Sequence, residues 1–177
     1  MQGYLTLATG TPFYLDLAMN LVLSLNLNDP TRPVCIVTDR TMSIPEAYRK
    51  FIDQITFMDA KPGFHGCLNK LRVNEVSPFD ETMFVDSDCI LLKNDMDRHW
   101  AKFQSPGFCS PGGKVTSGRW YGFDNAEVIK KLGIDYMRTL NSGVFYFRQG
   151  AEADHFFATA LDLVENHKEL LGSFARY

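Results

Sequence analysis

Short apolar runs alternate along this chain with segments of helical period, and that alternation narrows the fold more than any single residue does. Tyr4 to Thr9 reads as a buried strand. Gly10-Thr11-Pro12 follows, with Thr11 suited to a helix N-cap and Pro12 to the first helical position. A helix then runs to about Leu25, with Tyr14, Leu17, Ala18, Leu21, Val22 and Leu25 on one face. Val34 to Thr38 is a second strand ending at Asp39, and Ser43 with Glu46 predicts a capping box for a short helix through Phe51. Ile55-Thr56-Phe57 is a third strand, Cys67 to Val76 a helix, and a fourth strand delivers Asp86. Helices are expected over Met96–Phe103, Asn125–Leu132 and Ala151–Leu171, with strands at Phe108–Ser110 and Ser142–Phe147. Strands alternating with helices give an α/β class with a mostly parallel central sheet flanked by helices. Ligands of such sheets bind beyond the carboxyl ends of the strands, at a switch point. Thr9-Gly10 and Asp86 both lie at such ends.

Asp86-Ser87-Asp88 interrupts the apolar stretch from Met83 to Leu92. Acidic residues are depleted in strands. Two carboxylates at i and i+2 of an extended chain project to the same side. Hard divalent cations take such oxygen ligands, and a cation held by two carboxylates keeps positions for phosphate oxygens. That chemistry points to a phosphorylated donor, most simply a nucleotide sugar. Asp-Ser-Asp is also the composition of a polar turn between hairpin strands.

The chain of 177 residues is expected to form one domain, large enough to bury about 70% of its unfolded surface. Its net charge of −3 argues against a nucleic-acid partner. An anionic diphosphate would need local compensation by a metal or by placed Lys and Arg. The four cysteines, Cys35, Cys67, Cys89 and Cys109, form no paired metal spacing, so a reduced, cytoplasmic setting is expected. No signal peptide is expected, and no apolar run approaches the ~18 residues of a membrane span.

Three segments together resemble the GT-A-fold glycosyltransferases, and within them the glycogenin-like group, family eight. They are Thr6-Leu7-Ala8-Thr9-Gly10 with Tyr14, then Leu68-Asn69-Lys70-Leu71-Arg72 leading into Phe84-Val85-Asp86-Ser87-Asp88, then Leu140-Asn141-Ser142-Gly143-Val144-Phe145. The resemblance implies a Rossmann-like nucleotide-diphospho-sugar transferase fold. It also implies transfer of a hexose-type sugar from a UDP-sugar, with Mn²⁺ or Mg²⁺ as cofactor and retained anomeric configuration. Asp86 and Asp88 match the metal-binding carboxylates. Ala8, Thr9, Gly10, Tyr14 and Ser87 match the nucleotide-binding set, with Phe13 an alternative to Tyr14 by a one-residue slip. Lys70 matches a lysine beside the donor phosphate or sugar, and Asn141, Ser142 and Gly143 match a turn against the donor sugar. No residue matches a nucleophile. The acceptor, whether glycan, lipid or protein, is not identified, and a homo-oligomer remains open.

The chain departs from the family after its last helix, where members supply an acidic or amide residue and a histidine that completes the metal site. The reading is therefore of a C-terminally truncated GT-A domain. His155 and His167 fall on the polar side of that helix, and His65 reads as a surface loop residue. Asp39 reads as a turn cap, with ribose contact the alternative. Arg119-Trp120-Tyr121-Gly122-Phe123 reads as a packed loop, with an acceptor-side surface the alternative. Two rivals are a phosphatase of the haloacid-dehalogenase type, whose DxD stands near the domain start, and a module that binds a nucleotide sugar without transferring it.

Overall fold

The computed structural model describes residues 1–64, 66–103, 107–120 and 122–166. A six-stranded sheet runs in the order β3-β2-β1-β4-β10-β5. Its strands are β1 (Gln2–Ala8), β2 (Val34–Thr38), β3 (Gln54–Phe57), β4 (Glu81–Val85), β5 (Phe108–Cys109) and β10 (Val144–Arg148). The first four pair in parallel, and β10 runs antiparallel between β4 and β5. The strand order therefore reverses at β1, where β2 lies on one side and β4 on the other. Two two-stranded ribbons, β6 (Gly112–Val115) with β9 (Met137–Leu140) and β7 (Arg119–Trp120) with β8 (Phe123–Asp124), lie between β5 and β10 in the chain.

Alternating side chains build two cores. Tyr4, Val34, Ile36, Met83, Val85 and Tyr146 face α1 (Pro12–Asn28) and Trp100 of α4 (Met96–Phe103). Leu5, Cys35, Val37, Phe84, Phe145 and Phe147 face Val73 of α3 (Val73–Val76) and Ala153 and Phe157 of α6 (Ala151–Asn166). Phe84 and Phe145, cross-strand partners, stack at 4.6 Å between ring centroids. Such aromatic pairs add about 0.5–1.5 kcal/mol beyond area burial. At the far end of the sheet from the strands' carboxyl termini, the Tyr4 hydroxyl donates to Asp29 at 2.5 Å and accepts from Trp100 Nε1 at 3.2 Å. Arg32 closes this network by donating to both oxygens of Asp29.

Several local expectations are corrected. Helix α1 begins at Pro12 as expected, but Thr11 makes no side-chain cap bond, and the helix continues to Asn28. Its buried face is Leu15, Ala18, Met19, Leu21, Val22, Ser24 and Leu25, so Tyr14 lies outside the core. The Ser43 capping box does not form: α2 (Glu46–Arg49) follows Pro45 without a side-chain cap. Residues Gly66–Arg72 form a 3-10 helix before α3 rather than one α-helix. Strand β4 stops at Val85, and Ile90 and Leu92 are exposed. Helices Met96–Phe103 and α5 (Asn125–Leu132) match their expected bounds. The Asp124 carboxylate caps α5, accepting from the Ala126 and Glu127 amides, and Gly133 at φ 64° ends it. The last helix is described through Asn166, and the expectation that it reaches Leu171 lies outside the described residues. Among the described residues no helix is long and apolar enough to cross a membrane.

Candidate functional site

Strands β1 and β4 are hydrogen-bonded neighbours, so the segments that leave their carboxyl ends meet. Asp86-Ser87-Asp88 is not extended. The Cys89 amide donates to the Asp86 carbonyl at 3.0 Å, closing a turn directly after β4. The turn reading thus describes the backbone, and the alternation argument for the two carboxylates does not apply. The turn nevertheless brings both to one place, because Asp86, Ser87 and Asp88 all line one narrow cleft of about 190 Å³. Asp86 is partly covered, Ser87 buried and Asp88 exposed.

Two other segments hold Asp86. The 3-10 helix carries Lys70, whose Nζ lies 2.7 Å from each Asp86 carboxylate oxygen and 3.4 Å from the Ser142 carbonyl. Its charge lies 5.7 Å from the Phe84 ring centroid. From the other side the Asp86 amide donates to the Gly143 carbonyl at 2.7 Å. The Gly143 amide in turn donates to Asn141 Oδ1 at 2.7 Å, an Asx turn that sets the entry to β10. A Cβ at position 143 would come within 2.9 Å of Asn141 Oδ1 and 3.3 Å of Asp86 Oδ2. Gly143 therefore serves close approach to the carboxylate rather than an unusual φ.

The segment leaving β1 forms the opposite wall. Thr9 lines the narrow cleft with Leu7, Tyr14, Gly66 and Cys67, and with Gly66 it also lines an adjoining cleft of about 470 Å³. That wider cleft takes in Gly10, Asp39, Arg40, Asp59 and Asn69. Gly10, at φ 90°, donates its amide to Asp39 Oδ2 at 2.6 Å. Asn69 Nδ2 donates to Thr9 Oγ1 at 3.4 Å.

The expected site residues thus converge with two exceptions. Ala8 is fully buried, its carbonyl accepting from Thr38 Oγ1 at 2.9 Å, and it lines neither cleft. Phe13, 63% exposed, lines neither cleft, whereas Tyr14 lines the narrow one and Phe64 the wider one. Asp39 goes beyond a local cap, since it ties the end of β2 to the end of β1. Asn69 and Cys67 also line the clefts, which the sequence does not signal: Asn69 stands beside Lys70 in the Leu68–Arg72 segment, and nothing local marks Cys67. Burial, then the negative Asp88 and Asp86, pushes the Cys89 thiol above its ordinary value.

Asp86 and Asp88 supply hard oxygen ligands in one cleft, and the Lys70 ammonium already rests on Asp86 as a cation would. Among the described residues no group of three or more His, Cys, Asp or Glu forms. His155 is exposed on α6, and His65 and His167 lie outside the described residues. The residues fit a cation that takes two protein carboxylates and completes its shell from ligand and water.

No family model and no curated protein matches the sequence. Solved structures do. The galactosyltransferase LgtC, in complex with donor and acceptor sugar analogues, is 16% identical with a TM-score of 0.62, over 96% of this chain and 66% of its own. The glycosyltransferase GlyE of Streptococcus pneumoniae is 14% identical at 0.60, over 96% of this chain and 40% of its own. A 4-diphosphocytidyl-2C-methyl-D-erythritol synthase from Anaerococcus prevotii is 7% identical at 0.54, over 93% of this chain and 75% of its own. The chain thus spans less than two thirds of the length of LgtC and less than half that of GlyE. At these identities the likeness concerns architecture alone. The chain has the fold of the GT-A glycosyltransferases.

Proposed function

We propose that this chain binds a nucleotide sugar across the two clefts and transfers its sugar to an acceptor. The observation that carries the reading is the convergence on Asp86. One carboxylate turn at the sheet's reversal is gripped by a lysine from one side and an Asn-Ser-Gly turn from the other. Asp86 and Asp88 would hold Mn²⁺ or Mg²⁺, which when bound supplies Lewis-acid stabilisation of a diphosphate leaving group. Lys70 adds positive charge beside the phosphates. Thr9, Gly10, Tyr14 and Ser87 form the nucleotide wall, with Tyr14 offering a ring face to a base, UDP being the proposed nucleotide. Asn141, Ser142 and Gly143 shape the sugar side. Membership of the family-eight, glycogenin-like group, retention of configuration and a hexose donor belong to the same proposal, as does a single GT-A domain over residues 1–177. Four free cysteines fit a reducing compartment such as the cytoplasm.

Thermal unfolding with UDP and Mn²⁺ tests the donor site. Ligand at about 100 times its Kd adds about 2.7 kcal/mol, a rise of roughly 5–10 °C for a chain of this size. The rise should need both components and vanish in Asp88→Asn. An equal rise in that variant would sink the carboxylate assignment. The second reading is a module that holds the donor without turning it over. It is favoured by the two-carboxylate donor set, and donor binding without hydrolysis or transfer of any UDP-sugar would select it.

A further inference from the structure

The ribbon β6–β9 leaves the sheet at the rim of this site. The Asn141 amide donates to the Pro111 carbonyl at 2.9 Å and Ser110 Oγ donates to the Asn141 carbonyl at 2.8 Å, so its base is fixed beside the Asn-Ser-Gly turn. Lys114 and Arg138 stand directly opposite each other in the antiparallel register. Like charges so placed destabilise a ribbon. Neither meets a carboxylate among the described residues. Both instead turn over one ring, with Lys114 Nζ 4.1 Å and Arg138 Cζ 5.8 Å from the Tyr136 centroid. Tyr136, Arg138 and Leu140 occupy alternate positions and share a face, all exposed. That face leads toward Ser142, and Leu140 and Ser142 line a common cleft with Lys70.

Two cations across one strand pair, both over one exposed ring and without a carboxylate partner among the described residues, form a receptor for an anion attached to a flat or ring-shaped body. We propose that Lys114, Tyr136 and Arg138 bind the acceptor, and that the acceptor is a sugar carrying a phosphate monoester. Such a group carries roughly −1.5 to −2 charge at neutral pH, which matches the two cations. Arg138 offers the planar fork suited to phosphate oxygens, Lys114 a point charge, and Tyr136 a face for the sugar ring. Nothing in the donor site needs these residues. The acceptor role rests on the transfer reading above, whereas binding at the ribbon does not.

The test is two-dimensional amide NMR of the whole chain titrated with glucose 6-phosphate, glucose and inorganic phosphate, beside the UDP–Mn²⁺ melting assay on the same samples. Glucose 6-phosphate should shift the amides around 114 and 136–138, and glucose should not. Lys114→Ala/Arg138→Ala should weaken glucose 6-phosphate at least tenfold and leave the UDP–Mn²⁺ melting shift intact. Arg138→Lys should lose less affinity than Arg138→Ala. No ribbon shifts at millimolar glucose 6-phosphate, with the UDP–Mn²⁺ shift present, would overturn the proposal. So would unchanged affinity in the double variant. Inorganic phosphate binding as tightly as glucose 6-phosphate would overturn the sugar assignment, since Tyr136 would then add nothing. Ribbon binding in a protein that fails the UDP–Mn²⁺ assay would uphold the receptor and defeat the transferase reading instead.

Discussion

Replacing Lys70 by Met separates two effects of one ion pair. Met keeps an apolar stem near Phe84 and removes the ammonium that touches both oxygens of Asp86. The two side chains are 14% and 26% exposed, between the surface and buried cases. Exposed pairs contribute about 0–1 kcal/mol and breaking a buried pair costs about 3–5, so about 1–2 kcal/mol is expected here. Lys70→Met should therefore melt roughly 2–8 °C lower in the absence of ligand. For metal the sign reverses. Lys70 must leave Asp86 before a cation can take both oxygens, so the same energy opposes the cation in the resting protein. Without nucleotide, Mn²⁺ should bind the variant about 5–30-fold more tightly. With UDP the gain should shrink, because the charge beside the diphosphate is gone. Titration followed by the paramagnetic resonance of free Mn²⁺, beside melting curves, reads both effects. A variant that melts lower but binds Mn²⁺ no better than the parent would refute the idea that Lys70 and the cation compete for Asp86.

Three further outcomes are expected. Gly143→Ala should disturb Asn141 and Asp86 together, weakening Mn²⁺-dependent UDP binding about tenfold by calorimetry while costing stability only about 1 kcal/mol. Tyr4→Phe should lower stability by about 2 kcal/mol in urea titrations, because Trp100 Nε1 and Asp29 each lose a buried partner, and UDP binding should not change. Burial pushes the Cys35 thiol up to about 11 from 9.0, so the unfolded chain releases this proton first. Stability is then fully present below pH 9 and falls as pH climbs toward 11, by about 3 kcal/mol at most, and Cys35→Ala should flatten that slope in pH-dependent denaturant melts.

What could be read from the sequence was what local forces decide. Val34 to Val37 is unbroken in apolar character because the strand Val34–Thr38 is buried on both faces. Helix α5 begins and ends where Asp124 and Gly133 dictate. For Asp86-Ser87-Asp88 the sequence leaves an extended and a turn reading open, and what decides for the turn, its closure by Cys89 and its bracing by distant Gly143, is not local. Tyr14 fits the helical stripe by spacing, but α1 packs through Leu15 and Met19 instead and leaves Tyr14 to the cleft. The ribbon β6–β9 was missed because it opens on Gly112-Gly113, residues depleted in strands, and its partner lies beyond α5. The Asp39–Gly10 contact joins two strand ends that only the folded sheet brings together.

Among the described residues strand β10 comes last in sequence, yet it lies inside the sheet, between β4 and β5. During synthesis β1 to β4 leave the ribosome first, and domains tend to form in that order. Until β10 arrives, β4 has an open flank of unpaired backbone groups, the kind of edge that recruits other chains. The Asp86 turn meanwhile lacks the carbonyl that anchors its amide. A nascent chain stopped before Gly143 would thus contain both carboxylates and the lysine but neither a closed sheet nor a fixed site. Competence to bind should switch on late and abruptly as the chain lengthens past Arg148, rather than grow with each strand added.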